Sequence, residues 1–402
     1  MTRVNQSEWQ VLKSLQKAFR RLRLFFPFLF ILVSITCFGV APLSLLRAAD
    51  SNAISPQAQS LPLGLPGLPK WVSTVTTSQI ELGGKLFFDR GLSFNNTLSC
   101  SMCHLPEDAF ASTQSARSVG MEGRTLQRNA PTLLNVVFQE MLFHDGRETS
   151  LALQAWLPLL HPDEMANPSI GYLIARVKDD PDYVRLFAQA FPGRGIDPMT
   201  LGEALAAFQS TLLSGNSRFD RWRFGGEENA LSEAEKRGFE LFAGKANCAS
   251  CHTIDDAHAL FSDSLYYNTG IGYRALTQKS ESYNIQLAAG VVVEVESRYV
   301  DAISGPVPND IGRFAITLDE RDRWAYRTPT LRNVSRTEPY MHDGSIGTLD
   351  AVVEYYNEGG FRKDRSLSPL IKPLGLTQIE RDDLVAFLVS LDGAEASGTQ
   401  NK

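Results

Sequence analysis

Two short segments of this chain combine residue types that can bind haem. Each has a pair of cysteines separated by two residues and followed directly by a histidine: Cys100, Cys103 and His104 in the first, and Cys248, Cys251 and His252 in the second. In such a C-x-x-C-H pattern the thiols attach a haem covalently, and the histidine becomes the proximal ligand of its iron. The sequence therefore predicts two covalent c-type haems, with a zinc site or a redox dithiol as the weaker alternative.

The N-terminal segment predicts export from the cytoplasm. A basic run precedes an uncharged, mostly apolar stretch at 24–46, which contains Cys37, the one cysteine outside the two motifs. As a helix rising ~1.5 Å per residue, this stretch could span a bilayer. Residues 1–49 are therefore predicted to be a signal peptide cleaved near Ala49 or an uncleaved anchor that tethers the protein to a membrane. Since C-x-x-C-H haems are attached outside the cytoplasm, we expect a periplasmic protein.

The net charge of −6 points away from nucleic acid as a partner. A duplication instead organises the rest of the chain. The hexapeptide PTLLNV at 131–136 recurs 198 residues later as PTLRNV at 329–334, and His144 in the sequence HDG recurs as His342.

These repeats and the haem motifs predict the domain boundaries. The predicted regions are a linker at 50–70, an N-terminal domain at 71–228, a C-terminal domain at 229–395 and a tail at 396–402. The second half has extra residues at about 258–310, for which the sequence leaves a small strand pair and a partner-binding loop as alternatives.

Capped helices are predicted to position the haem motifs. Three segments have a serine or threonine followed three residues later by glutamate, which is the capping-box pattern: Ser78 with Glu81, Ser232 with Glu235, and Thr377 with Glu380. The first two open helices that lead to the haem motifs, and the third opens a last amphipathic helix. Residues 170–215 also have helical spacing. The predicted fold class is all-α, with two cytochrome c-like domains that each carry one covalently bound haem.

These features together resemble the bacterial di-haem cytochrome c peroxidase and MauG family over about residues 75–395. The resemblance is carried by the two C-x-x-C-H motifs, the repeated P-T-L-x-N-V and D-G blocks, and Gly344-Ser345 followed by Leu349. It implies that hydrogen peroxide reacts at the haem of His104. Electrons from a small cytochrome c or cupredoxin would arrive through the haem of His252.

The resemblance also assigns roles to residues outside the haem motifs. Glu164 and Gln154 match the catalytic distal residues of the peroxide pocket, where a carboxylate can accept and return a proton and an amide can orient the peroxide. Asn129, Thr337 and Pro339 match the positions of a calcium ion between the domains, which an amide oxygen and main-chain carbonyls would bind. Association into a homodimer is a further expectation.

Three departures from typical peroxidases affect the expected mechanism. Met121 stands where a removable distal histidine is usual, so either Met121 binds the first iron or the sixth position is vacant, which we favour. Tyr356 stands where the second haem usually has methionine, with Tyr355 and Met341 as fallback ligands. His144 replaces the tryptophan that usually lies between the haems.

The expected function is therefore that of a di-haem peroxidase. Tyrosine at position 356 favours the first alternative, a MauG-like oxidase or maturase that acts on a protein substrate. Ala246 stands where MauG has a surface tryptophan, and this argues against the MauG-like alternative. The second alternative is an electron-transfer cytochrome without catalytic activity.

Overall fold

The computed structural model describes residues 61–277, 281–288, 291–304 and 309–395. The predicted signal peptide or anchor, the tail and the start of the linker lie outside the described residues. Within the described part, no helix combines the length and apolarity that a bilayer crossing requires.

Most of the regular structure is helical. The described α-helices are α1 (Thr77–Phe88), α2 (Leu151–Gln154), α3 (Trp156–Leu160), α4 (Ile170–Asp179), α5 (Pro181–Ala190), α6 (Pro198–Gln209), α7 (Arg218–Arg223), α8 (Glu233–Ala243), α9 (Ile271–Thr277), α10 (Ser297–Ser304), α11 (Phe314–Thr317), α12 (Leu349–Asn357) and α13 (Gln378–Val389). This confirms the prediction of a mainly helical protein. Short strands are the difference from an all-α fold.

The strands form three antiparallel pairs. They are β1 (Ser214–Gly215) with β6 (Ala394–Glu395), β2 (Tyr266–Tyr267) with β5 (Tyr326–Arg327), and β3 (Ser282–Ala288) with β4 (Val291–Glu296). The third pair is a hairpin in the extra segment, where the valine run at 291–293 favours extended backbone. Of the two alternatives for this segment, the structure contains the strand pair.

Helix α1 packs against α6 through a glycine in the first hydrophobic core. A Cβ atom on Gly83 would lie 1.9 Å from the main-chain oxygen of Ala204, so the two helices touch backbone to backbone. Leu86, Phe87 and Leu205 fill the core beside this crossing. Close packing of this kind fixes the end of α1, from which the chain continues to the first haem motif.

Helix α8 packs against α13 in the same way in a second core. A Cβ atom on Gly238 would lie 2.0 Å from the main-chain oxygen of Asp383. Phe242 and Phe387 pack beside the crossing with their ring centroids 5.0 Å apart. The duplication thus extends to the helix pairs that support each haem motif.

The helix starts confirm two of the three predicted capping boxes. Those of α8 and α13 are formed by Ser232 with Glu235 and by Thr377 with Glu380. The prediction for α1 was wrong: its cap is Thr76, paired with Gln79. The same pattern occurs two residues earlier, in the run TTSQ at 76–79, and the structure forms the capping box there.

The second core begins ahead of the predicted domain boundary at 228/229. Phe219, in α7, is fully buried against Phe261 and Phe387 in that core. The last part of the predicted linker is also bound there, because the carbonyl of Gly64 accepts hydrogen bonds from Ala259 and Arg332. The division into two domains stays a prediction.

Candidate functional site

The first haem motif folds into a short turn that presents His104. The turn spans Cys100–Met102, and the amide of His104 donates to the carbonyl of Cys100 at 3.0 Å. The ring Nδ1 lies 3.1 Å from the carbonyl oxygens of Phe110 and Pro131. Because carbonyl oxygens only accept hydrogen bonds, Nδ1 carries the proton and Nε2 keeps its lone pair for a metal.

The second haem motif repeats this arrangement. Its turn spans Cys248–Ser250, the amide of His252 donates to the carbonyl of Cys248 at 2.9 Å, and the ring Nδ1 lies 2.8 Å from the carbonyl oxygen of Phe261. Burial lowers the pKa of His252, as it does for His104, so both rings are neutral. A neutral imidazole with a protonated Nδ1 is the form that binds iron.

The motif thiols fit the covalent attachment of haem. In both motifs the cysteines are free rather than joined as a disulfide. Burial raises the pKa of Cys100 and Cys248 to about 12 and that of Cys103 to about 11. Such thiols are poor spontaneous nucleophiles, and their place beside an oriented imidazole suits thioether links better than a redox dithiol.

A cavity lies against the first haem motif. Cys100, Cys103 and His104 line it, and Glu164 and Gln154 add polar groups among mostly apolar neighbours. The structure thus brings the two predicted catalytic residues together with the first haem motif.

Glu164 has the electrostatic environment of a proton-transfer group. Burial raises its pKa, although the charges of His161 and Arg147 act in the opposite direction. Its carboxyl lies close enough to the motif for its charge to act on Cys103 and, less strongly, on Cys100. A carboxyl whose pKa is raised above the ordinary range can both accept and release a proton near neutral pH.

Gly120, rather than Met121, forms the cavity wall on the loop where the predicted sixth ligand lies. Met121 is buried at 4 % exposure and is not among the lining residues. Its amide donates to the carbonyl of Asp163 at 2.9 Å, and a Cβ on Gly120 would lie 1.8 Å from that same oxygen. This backbone contact holds the loop against the segment that carries Glu164.

Tyr356 lies at the second haem motif. Burial raises the pKa of its phenol, and the charges of Tyr355, Cys248 and Cys251 add to the effect. The hydroxyl of the adjacent Tyr355 is engaged elsewhere: it donates to the carbonyl of Thr269 at 2.7 Å and accepts the amide of Phe361 at 3.1 Å. Of the two tyrosines, Tyr356 is therefore the one available to an iron ion, whose positive charge would favour the phenolate.

His144 lies where the two halves of the chain meet. Its Nε2 lies 3.1 Å from the carbonyl oxygen of Asn129, and its own carbonyl accepts the amide of Arg327 at 2.7 Å. Burial, followed by the charges of Arg128 and His342, lowers its pKa to about 3. The imidazole is thus neutral, with its proton on Nε2.

The predicted calcium positions offer amide and main-chain oxygens. The Nδ2 of Asn129 donates to the carbonyls of Ser112 and Ala116 at 3.0 and 3.1 Å, which turns its Oδ1 away from them. The hydroxyl of Thr337 donates to the carbonyl of Val334 at 3.2 Å, and the role of its main-chain oxygen as a calcium ligand stays a prediction. No cluster of three or more His, Cys, Asp or Glu residues suited to a metal occurs within the described ranges.

A charged cluster between the halves was not found by sequence reasoning. Arg128 donates to Asp310 through Nε at 2.5 Å and Nη2 at 2.9 Å, and to Asp145 at 2.7 Å. Arg147 also donates to Asp145. These residues are far apart in sequence. The one available signal was that Asp145 belongs to the duplicated HDG block.

Comparisons with known proteins show which family this chain belongs to. The family model for di-haem cytochrome c peroxidase matches residues 77–229. The chain is 38 % identical over 328 residues to the methylamine utilization protein MauG of Methylorubrum extorquens, covering 81 % of each. It is 34 % identical over 358 residues to the cytochrome-c peroxidase IdrP1 of Denitromonas iodatirespirans, covering 86 % of this chain and 90 % of that one.

A solved structure shows the same fold. The crystal structure of a MauG-like protein associated with microbial copper homeostasis matches with a TM-score of 0.68 and 32 % identity, over 85 % of this chain and 98 % of that one. The chain therefore belongs to the di-haem cytochrome c peroxidase and MauG family.

Proposed function

We propose that this protein is an exported di-haem peroxidase that reduces hydrogen peroxide to water with electrons from a small redox protein. The observation that carries the proposal is the cavity in which Glu164 and Gln154 face the first haem motif. The haem held by Cys100, Cys103 and His104 would supply a redox-active iron for peroxide. A second haem would be held by His252 with Tyr356 as its distal ligand, and calcium by the Asn129 region.

Residues of the cavity have different roles in breaking the peroxide bond. Reduction of one hydrogen peroxide consumes two electrons and two protons and yields two waters. Glu164 accepts the proton from one peroxide oxygen and returns it to the other, which can then leave as water. Gln154 orients the peroxide through its amide, and the apolar walls keep bulk water from competing for these hydrogen bonds.

The cavity wall at Gly120 supports a vacant sixth position at the first haem. Met121 lies outside the lining, so the resting ferric protein is expected to react with peroxide without prior reduction. The haem absorption bands of the ferric protein should then change rapidly on addition of stoichiometric peroxide. A change that appears only after one-electron reduction would place Met121 on the iron. A protein unreactive in both states would be an electron carrier.

Glu164→Gln tests the catalytic assignment directly. The amide keeps the size of the side chain but cannot take up the proton, so the rate constant of the peroxide reaction should fall by about 10²–10⁴-fold. Stopped-flow absorption in the haem bands measures it. Glu122→Gln is the matched control, because Glu122 lies outside the cavity lining with its side chain 68 % exposed. Equal rates in the two variants would refute the assignment.

A MauG-like oxidase that acts on a protein side chain is the second candidate. The position of Tyr356 favours it, because an anionic phenolate stabilises high oxidation states of iron whereas methionine raises the potential. The peroxide step would be the same in both candidates. Fast turnover with a reduced small cytochrome supports the peroxidase. If the protein reacts fully with peroxide but such a donor does not reduce the oxidised protein again, the oxidase is supported.

A further inference from the structure

Trp324 has two features that packing alone does not explain. Its backbone lies in the left-handed region with φ of 57°, which is unfavourable for a bulky side chain. Its indole N–H is buried and finds no acceptor among the described residues. Trp156 provides the contrast, since its N–H donates to the carbonyl of Pro198 at 3.0 Å. The two features together motivate a functional hypothesis for this residue.

Gly272 allows the indole to lie directly on helix α9. A Cβ atom there would be 2.6 Å from Cδ1 of Trp324. In this position the indole meets Tyr273 edge to face, with the ring centroids 5.2 Å apart, and Tyr273 in turn lies 6.0 Å from the ring of Phe361.

The aromatic contacts continue to the second haem site. The amide of Phe361 donates to the hydroxyl of Tyr355 at 3.1 Å, and the ring of Tyr355 lies 5.7 Å from that of Tyr356. An unbroken set of contacts therefore joins Trp324 to the residue proposed as the distal ligand. Among the neutral rings of this set, indole loses an electron most easily when no proton leaves with it, whereas the phenyl ring of Phe361 can only shorten a tunnelling step.

The segments around Trp324 expose apolar side chains next to the charged run at 319–323. Trp324 itself is half-buried, Leu276 on helix α9 is 48 % exposed, and Ile316 and Leu318 in the preceding segment are 48 % and 76 % exposed. Arg323 lies 5.8 Å from the indole ring, but it is paired with Glu320 by two hydrogen bonds of 2.8 Å, which offset its charge at the ring.

We propose that Trp324 is the residue through which the second haem site exchanges electrons with a docked one-electron redox protein. One electron leaves the indole toward the Tyr356 site, and the resulting indole radical cation keeps its proton because none of the described residues accepts a hydrogen bond from the N–H. The docked protein then returns one electron to the indole. Two such transfers supply the two electrons that one peroxide consumes, so the inference rests on the proposed function.

Trp324→Phe in the haem-loaded protein tests this role. The change should slow oxidation of a reduced small c-type cytochrome by at least about tenfold, with a larger effect on kcat than on KM. The peroxide-induced absorption change should keep its wild-type rate. Trp71→Phe is the control, since Trp71 is 41 % exposed and has no such ring contacts with the second site. A second variant, Tyr273→Phe, retains the ring packing and should slow the same step without altering the fold.

A second readout does not depend on turnover. With peroxide present and no donor, peptide mass spectrometry should find oxygen added to Trp324 in preference to Trp71. The inference would be overturned if Trp324→Phe and Tyr273→Phe both oxidise the donor at the wild-type rate, or if Trp324 stays unmodified, while the absorption change persists. Loss of the absorption change in the wild-type protein would instead refute the proposed function.

Discussion

At the scale of single residues, two adjacent tyrosines differ in what their hydroxyl groups can do. Tyr355 donates to the carbonyl of Thr269, whereas the phenol of Tyr356 is buried and feels the charges of Cys248 and Cys251 in the second haem motif. Tyr356→Phe should therefore change the absorption and lower the stability of the ferric state of the second haem, which raises its reduction potential. Tyr355→Phe should leave the potential unchanged and cost about 1 kcal/mol of folding free energy.

A spectroelectrochemical titration of both variants distinguishes these outcomes. If Tyr355→Phe shifts the potential and Tyr356→Phe does not, the ligand assignment is reversed. Either result is informative, because the two substitutions remove the same atom from neighbouring positions of helix α12.

His144 links the stability of the folded state to pH. Its pKa falls from 6.5 to about 3 on folding, so between these pH values the unfolded chain binds the extra proton. Stability is therefore lost as pH falls below 6.5. Lowering the pH from 6.5 to 5 should cost the wild-type protein about 2 kcal/mol more than His144→Gln, whose amide can still donate to Asn129.

Urea unfolding at the two pH values measures this difference. All other titratable groups are the same in both proteins, so the comparison isolates the contribution of residue 144. If the free energy of unfolding changes with pH in the same way in both proteins, the pKa of His144 is not lowered in the folded state.

At the scale of elements, the glycine at each helix crossing sets how closely two helices approach. Gly83→Ala would place a Cβ 1.9 Å from the rigid carbonyl of Ala204, so the helices must separate at a cost of about 1–3 kcal/mol or more. Gly84→Ala meets only the ring of Phe208 at 3.4 Å. It should be neutral or stabilise α1 by up to about 1 kcal/mol, because alanine favours helix over glycine.

Thermal unfolding of these two variants compares neighbouring positions on one helix. A similar loss of stability in both would show that the helix crossing tolerates an added methyl group. Gly238 occupies the corresponding crossing in the second core, and the same reasoning applies there.

Helix caps could be predicted from local sequence patterns, whereas the glycine at a helix crossing could not. Capping boxes depend on residues three apart, so those of α8 and α13 were predictable. In the run before α1 two registers satisfied the same rule, and the structure uses the one that begins at Thr76. The role of Gly83 was not predictable, because its neighbour Ala204 is distant in sequence.

At the scale of the whole molecule, sequence reasoning recovered the site better than its surroundings. The haem motifs have a fixed spacing, and the placement of Glu164 and Gln154 in one cavity followed from the family resemblance. The contacts between the halves depend on residues that come together only in the folded chain. No local pattern pairs Arg128 with Asp310.

Asp310 fastens the first half of the chain to the second. Burial alone would raise its pKa, but hydrogen bonds and charge from Arg128 outweigh this and lower the pKa to about 2. Asp310→Asn removes the charge and leaves Arg128, a largely buried cation, with Asp145 as its remaining carboxylate partner. We expect a loss of about 1–3 kcal/mol, because a buried charge that loses a partner keeps its desolvation cost.

The same substitution at an exposed ion pair provides the comparison. Asp319 pairs with Arg321, whose side chain is 89 % exposed, so Asp319→Asn should change stability very little. Urea unfolding followed by far-ultraviolet circular dichroism measures both. If Asp310→Asn costs no more than Asp319→Asn, the cluster around Arg128 does not hold the halves together. A larger cost, with haem absorption retained at both motifs, would show that Asp310 stabilises the contact between the halves rather than either haem site.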